Sequence, residues 1–307
     1  MRLHEVERGD SLISQILIRF LSLVSGMRLP DAARVAFYHK QFGGDSMSAW
    51  THAAMRGESA WSVGERELMA AMTAKWNTCP FCIGAHGAIA ARALGRPQVL
   101  STLEDFRQAE LSTNFQATLV FLEILTRRPG DLTPEDAWAV LCKGATSQAL
   151  EDAIAVCALF HITTRCADTL DYQMLSEKDF DQAAKQLLVQ GYAFGKGKTP
   201  SHPDHRVMAD AVRQRILFGR GKTDAPLRQA MAERATGGPP LSAPYDDLAR
   251  QIGEAAYKVT DEQVAKVVEQ TGSEKAAFEL IMAAALGAGL HRFWRGLGVL
   301  EAAQKTA

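Results

Sequence analysis

Cysteine is scarce in this chain, five in 307 residues, and the number is odd. A small secreted domain stapled by disulfides needs paired thiols at high density, so that class is set aside. An excess of one charge is also missing: 34 basic residues stand against 35 acidic, a formal net charge of −1. Such a balance leaves no electrostatic footprint for a polyanion and argues against a nucleic-acid partner. No apolar run reaches the roughly 18 residues of a membrane span before a charge or a glycine cuts it, so no membrane segment is expected. The first thirty residues, MRLHEVERGDSLISQILIRFLSLVSGMRLP, place acidic residues ahead of their apolar part and lack the basic n-region and uncharged h-region of a secretory signal. The cytoplasm is the expected compartment. Period-two alternation with β-branched enrichment is absent, which leaves no candidate strand and gives an all-α fold class.

What is present is apolar side chains in quantity, 47% against 22% charged, enough for a substantial core. The length suits one large or two ordinary domains. Residues 10 to 26 repeat apolar positions at three and four and predict an N-terminal helix packed on the body. Pro30 begins a second helix through about Phe42, with Gly43 and Gly44 as its C-cap, and 50 to 55 predicts a short helical piece. Ser62-Val-Gly-Glu65 is a capping box opening a helix through about Trp76. Pro80 suits the first turn of the next helix, which Gly95, Arg96 and Pro97 bring to a stop. Further helices are expected over 112 to 127, 134 to 143 and 147 to 170.

Straddling the helices that open at Ser62 and Pro80 lies ELMAAMTAKWNTCPFCIGAH, residues 67 to 86. Cys79 and Cys82 are three apart, a spacing that lets two thiols close a disulfide or share a metal. His86 follows Cys82 by four, so on a helix the imidazole stacks beside the thiol, one turn on, and can exchange its proton. Cys79 would sit at the helix N-cap, where unpaired amides and the helix dipole favour thiolate. Zinc takes four ligands, whereas only three groups cluster here and no second Cys-x2-Cys occurs, so neither a metal nor a cofactor is expected. A thiolate that attacks a peroxide becomes a sulfenic acid, which a neighbouring thiol condenses to a disulfide. Cys82 is the expected nucleophile because His86 is one turn away, and Cys79 lies at the helix end, open to an outside reductant. The reverse order, with Cys79 attacking, stays open. Glu67 on its own reads equally as a dipole-complementing glutamate early in a helix. Cys142, Cys157 and Cys166 read as buried unreactive thiols, Trp61 and Trp76 as core or interface aromatics, and His161, Arg165, His291 and Arg292 as basic residues at helix ends.

Residues 132 to 170 align without a gap on 259 to 297, at an offset of 127, with nine of 39 pairs identical. Both stretches share a Thr-x-Glu start, a mid-segment break and a long apolar helix. At the same offset Cys79, Cys82 and His86 fall on Arg206, Ala209 and Arg213, so the second copy has no thiol site. Residues 195 to 205 and 235 to 244 are rich in Gly, Pro and Ser and read as loops. The expected division is 1–200, carrying the thiols, and 201–307, a degenerate copy.

The spacing Glu67-x11-Cys79-x2-Cys82-x3-His86 resembles that of the AhpD-like alkylhydroperoxidase, or carboxymuconolactone decarboxylase, family in its peroxidase branch. The resemblance is most specific over residues 60 to 96 and extends more loosely through 170. It implies a duplicated AhpD-like helical fold, a cofactor-free thiol peroxidase, Cys82 as attacking and Cys79 as resolving thiol, and a proton relay of His86 and Glu67. It also implies a hydroperoxide or disulfide substrate, a thiol reductant of unknown identity and a homo-oligomer. Phe81 stands where some peroxidase members carry a second histidine, and decarboxylase members lack the cysteine pair. A reading from another class is a helical assembly or binding module whose thiols are a redox switch or vestigial.

Overall fold

The structure, a computed structural model, describes residues 1–192 and 203–306. Most of the loop expected at 195 to 205 lies outside the described residues. Among these residues every regular element is helical: α1 His4–Arg8, α2 Leu12–Ser25, α3 Asp31–Phe37, α4 Asp45–Arg56, α5 Val63–Trp76, α6 Pro80–Leu94, α7 Arg96–Asp105, α8 Thr113–Arg127, α9 Pro134–Cys142, α10 Ser147–Leu170, α11 Glu177–Gln190, α12 His205–Arg213, α13 Ala225–Arg234, α14 Tyr245–Ala255, α15 Asp261–Thr271 and α16 Glu274–Thr306. The capping signals act as expected. Ser62 accepts from the Glu65 amide while Glu65 accepts from the Ser62 amide, and Thr133 with Asp136 and Thr260 with Gln263 do the same for α9 and α15.

Several expectations are corrected. The helix expected over 30 to 42 breaks at His39, whose φ of 45° is left-handed, and Gly43 and Gly44 belong to a π-helical turn that leads into α4. Pro97 does not stop the chain: Gly95, with φ of 100°, turns it, and Arg96 and Pro97 begin α7 at once, because proline fits a first helical turn as readily as it follows a last one. His161, Arg165, His291 and Arg292 lie inside α10 and α16 rather than at their ends. Arg165 donates to the Gly253 carbonyl at 3.1 Å and Arg292 to that of Thr126 at 3.3 Å. Cys157 and Cys166 are buried, but Cys142, at the last position of the short α9, is exposed. Both α10 and α16 are long and apolar enough to cross a membrane, yet 89% and 83% of their apolar windows are buried in protein, which makes them core helices. Finally, α2 does not bury its apolar stripe. Leu12, Ile13, Ile16, Phe20, Leu23 and Val24 are 57% to 81% exposed, while Ser14 and Ile18 are buried.

Two compact units are built from alternating stretches of chain. One comprises Met1–Ala49, Ile162–Asp179 and Arg206–Ala288, the other Trp50–His161, Phe180–His205 and Gly289–Ala307. Each long helix therefore contributes to both units. In the second unit α5 and α6 run closely side by side, because Gly64 leaves room for Leu94 and Ala93, and Ala70, Ala71 and Ala74 are all buried. Trp61 stacks at 5.6 Å on Phe115 and donates to the Ala149 carbonyl, Trp76 meets Phe106 at 5.9 Å, and Trp50 meets Phe293 at 5.4 Å.

The offset of 127 is reproduced by element boundaries: the 3-10 turns begin at Pro129 and Ala256, α9 and α15 at Pro134 and Asp261, α10 and α16 at Ser147 and Glu274. Upstream a different offset holds. Arg66 donates to the carbonyls of Ala54 and Gly57, and Arg228 donates to those of Ile216 and Gly219. A Cβ on Gly57 would meet the Ala53 carbonyl at 2.4 Å, and one on Gly219 would meet that of Arg215 at 2.4 Å. Each pair is 162 apart, as are the N-caps Ser62 and Asp224. The extra 35 residues fall where α6 and α7 lie. Continuing the offset of 127 through the thiols, onto Arg206, Ala209 and Arg213, therefore pairs unrelated elements. Among the described residues the thiol helix has no counterpart after α13.

Candidate functional site

The site is assembled on α5 and α6, which the three residues Asn77 to Cys79 join. Asn77 closes α5, and Thr78, with φ of 62°, takes a left-handed conformation that a β-branched residue adopts at a cost. This bend lets the Cys79 amide donate back to the Ala74 carbonyl at 3.0 Å and turns Cys79 inward as the N-cap of α6. Pro80 is the first helical residue and Cys82 the third, so both thiols stand in the positive end of the helix dipole. No disulfide joins them in this structure.

Exposure corrects one expectation. Cys79 is 0% exposed and Cys82 1%, although their neighbours Thr78 and Pro80 face solvent. An outside reductant does not reach the Cys79 sulfur in this arrangement. α11 packs on the helix that carries Cys82: Phe180 lies at 5.8 Å from the Phe81 ring and fills the space that a Cβ on Gly84 would need, and Asp181 is paired with Arg92.

Glu67 and His86 meet. Glu67 Oε2 is 2.6 Å from His86 Nδ1, with the carboxylate fully buried and the histidine 7% exposed. Two groups that the sequence reading passed over complete the cluster. Arg56, the last residue of α4, pairs with Glu67 Oε1 at 2.8 Å, and the Tyr192 hydroxyl donates to Oε1 at 2.8 Å and Oε2 at 3.1 Å. Arg56 also lies over the Tyr192 ring at 4.9 Å, and the Tyr192 amide donates to His52 Nδ1 at 3.2 Å. The Phe160 ring meets His86 edge-on at 4.3 Å. Neither Arg56 nor Tyr192 carries a spacing signal, since one lies eleven residues before Glu67 and the other far along the chain.

Burial opposes charge on Glu67, but the hydrogen bond from His86 and the positive charges of His86 and Arg56 outweigh it and hold the carboxyl below its ordinary range. Burial, reinforced by that carboxylate, pushes the Tyr192 phenol well above its ordinary value, so it remains a donor. An ionised carboxylate only accepts, which puts the ring hydrogen on Nδ1 and leaves Nε2 as the basic nitrogen of His86. The cluster can therefore hold one imidazole in a single tautomer on the helix that carries both thiols. No group of three or more His, Cys, Asp or Glu side chains able to hold a metal occurs among the described residues.

No protein-family description matches the chain, and no curated protein matches it. Solved structures that resemble it include the following two. One is described as an alkylhydroperoxidase AhpD core, an uncharacterised peroxidase-related protein from Ralstonia eutropha JMP134, at 22% identity and TM-score 0.47 over 56% of this chain and 90% of that one. The other is an uncharacterised peroxidase-related protein from Silicibacter sp. TM1040, at 24% identity and TM-score 0.48 over 55% of this chain and 87% of that one.

Proposed function

We propose that the chain is a cofactor-free thiol oxidoreductase of the AhpD-like peroxidase kind, reducing a hydroperoxide through Cys82 and Cys79. The observation that carries this reading is the buried Glu67–His86 contact of 2.6 Å on the helix pair that bears both thiols. His86 Nε2 takes the Cys82 proton, and the thiolate attacks the distal peroxide oxygen. The S–O bond forms, the O–O bond breaks, and the departing alkoxide recovers the proton from His86 and leaves as alcohol. Cys79 sulfur then attacks the Cys82 sulfenic acid, an S–S bond replaces S–O, and the oxygen leaves as water. A dithiol of the reducing compartment returns both thiols. Glu67 keeps the imidazolium oriented and compensated, while Arg56 and Tyr192 keep Glu67 ionised.

The sulfurs are buried, so a peroxide enters and a reductant acts only when the cover over α6 opens. That burial is also what favours the rival reading, a helical assembly module with a silent thiol pair. Mass spectrometry after one equivalent of hydroperoxide discriminates. Loss of two thiols on the peptide holding Cys79 and Cys82, abolished by Cys82→Ser, supports the enzyme. Unchanged thiols, or a peroxide turnover that survives Cys82→Ser, removes it.

A further inference from the structure

The packing of α2 is inverted relative to that of a body-seated helix. At about 100° per residue, Leu12, Ile13, Ile16, Phe20, Leu23 and Val24 cover an arc of about 120°, the width of a core-facing stripe, and all six face solvent at 57% to 81% exposure. The side turned to the body carries Ser14, Ile18, Ser22 and Ser25, of which Ser14 and Ile18 are buried. Beneath it lies an open cleft of about 1080 Å³, lined by Arg8, Arg28 and Arg34 among others, which offers the apolar stripe no cover.

We propose that this stripe is the surface on which a second copy of the chain docks, helix α2 against helix α2 about a twofold axis. Ile13, Ile16, Phe20 and Leu23 are spaced three, four and three apart, the a/d pattern of a helix that pairs with another helix. The stripe itself, from Leu12 round to Val24, carries no charge, and exposed Arg19 borders it on one side only, so an isologous contact, in which the patch meets itself, places no charge at its centre. A bared side chain of this kind offers on the order of 100 Å² of apolar surface, so the six expose roughly 400 Å², large for a lone patch on a monomer. That is about half of the roughly 800 Å² that each partner buries in a stable interface. A lipid surface fits less well, because such helices line their polar flank with several basic residues and α2 has Arg19 alone.

Sedimentation equilibrium on the full chain tests this, beside the variant Ile16→Glu/Leu23→Glu and a control, Val189→Glu, which charges an exposed apolar residue on α11. The expected result is a dimer for the full chain and the control, and a dissociation constant at least 100-fold weaker for the α2 variant at unchanged helicity. If the charged pair loses helicity, Ile16→Ser/Phe20→Ser carries the same expectation. A monomeric wild type at 50 μM overturns the proposal, as does a dimer that ignores both α2 variants. A monomer that instead floats with phosphatidylcholine–phosphatidylglycerol vesicles overturns it in favour of a membrane.

Discussion

Glu67 and Glu279 are both fully buried carboxylates, each is joined to a histidine, and each is held below the ordinary carboxyl range. They differ in what else holds them. Glu279 accepts from His39 Nε2 at 2.8 Å, from the backbone amides of Lys222 and Thr223 at 2.8 Å each, and from the Thr223 hydroxyl at 2.7 Å. Main-chain donors do not titrate and do not swing, so this carboxylate staples a loop to α16. Asp152, which matches Glu279 at the offset of 127, also sits against a histidine but is held by side chains, with Ser59 at 2.6 Å and Gln148 at 2.8 Å on its oxygens and His205 Nε2 3.3 Å away. Glu67 likewise is held by side chains, Arg56, Tyr192 and His86, but its histidine stands one turn beyond a thiol. Burial and a lowered pKa therefore do not distinguish a working carboxylate from a structural one. What the histidine can serve beyond its carboxylate does.

Exchanging the two roles is the sharpest way to break that contrast. Glu67→Gln is expected to slow peroxide-driven thiol loss by about 100-fold or more, the usual worth of a positioned acid–base pair, measured by rapid-quench thiol counting. Glu279→Ala should leave that rate within about threefold but cost about 3–5 kcal/mol in urea unfolding, since it strands two amides and a histidine. Equal rate losses in both variants would erase the distinction. Phe180→Ala, which thins the cover on α6, is expected to raise the rate of thiol labelling by a disulfide reagent about tenfold, an opening of about 1.4 kcal/mol. Tyr192→Phe removes one neutral donor to Glu67, worth about 1 kcal/mol, and should lower the oxidation rate about fivefold while Cys82 labelling is unchanged. The smallest effect is with pH. Glu67, Asp152 and Glu279 all have carboxyls lowered on folding, so each contributes stability that is complete above its unfolded value of about 4 and is lost as pH falls through the folded value. The urea midpoint should therefore hold steady from neutrality to about pH 5 and decline below it, less steeply in Glu279→Gln than in wild type.

Much of this was legible in the residues because the signals are local. Capping boxes and Pro80 at a helix start act through neighbours one turn apart, and the structure keeps them; it also sets Cys82 and His86 on one helix. Glu67 was the uncertain member because one turn of helix explains a glutamate as well as a relay does, and only the approach of α6 to α5 brings it to His86. Arg56 and Tyr192 reach the site through tertiary packing, which leaves no spacing in sequence. Pro97 misled because proline marks both helix ends. The N-terminal helix misled because periodicity locates an apolar stripe without saying whether the body or the solvent faces it. The offset of 127 recurs in the element boundaries where the two stretches run without a gap, and it fails upstream because 35 more residues intervene in the first stretch than in the second.

The alternation of the compact units along the chain bears on how the site comes into being. The unit holding the thiols takes its last piece from Gly289–Ala307, the end of α16, where Phe293 reaches Trp50 and Arg292 the Thr126 carbonyl. During synthesis the thiol helix emerges some two hundred residues before that clasp. A ribosome still translating α16 therefore carries a thiol pair whose surroundings are unfinished, and an oxidant met at that stage meets cysteines that the completed fold keeps covered.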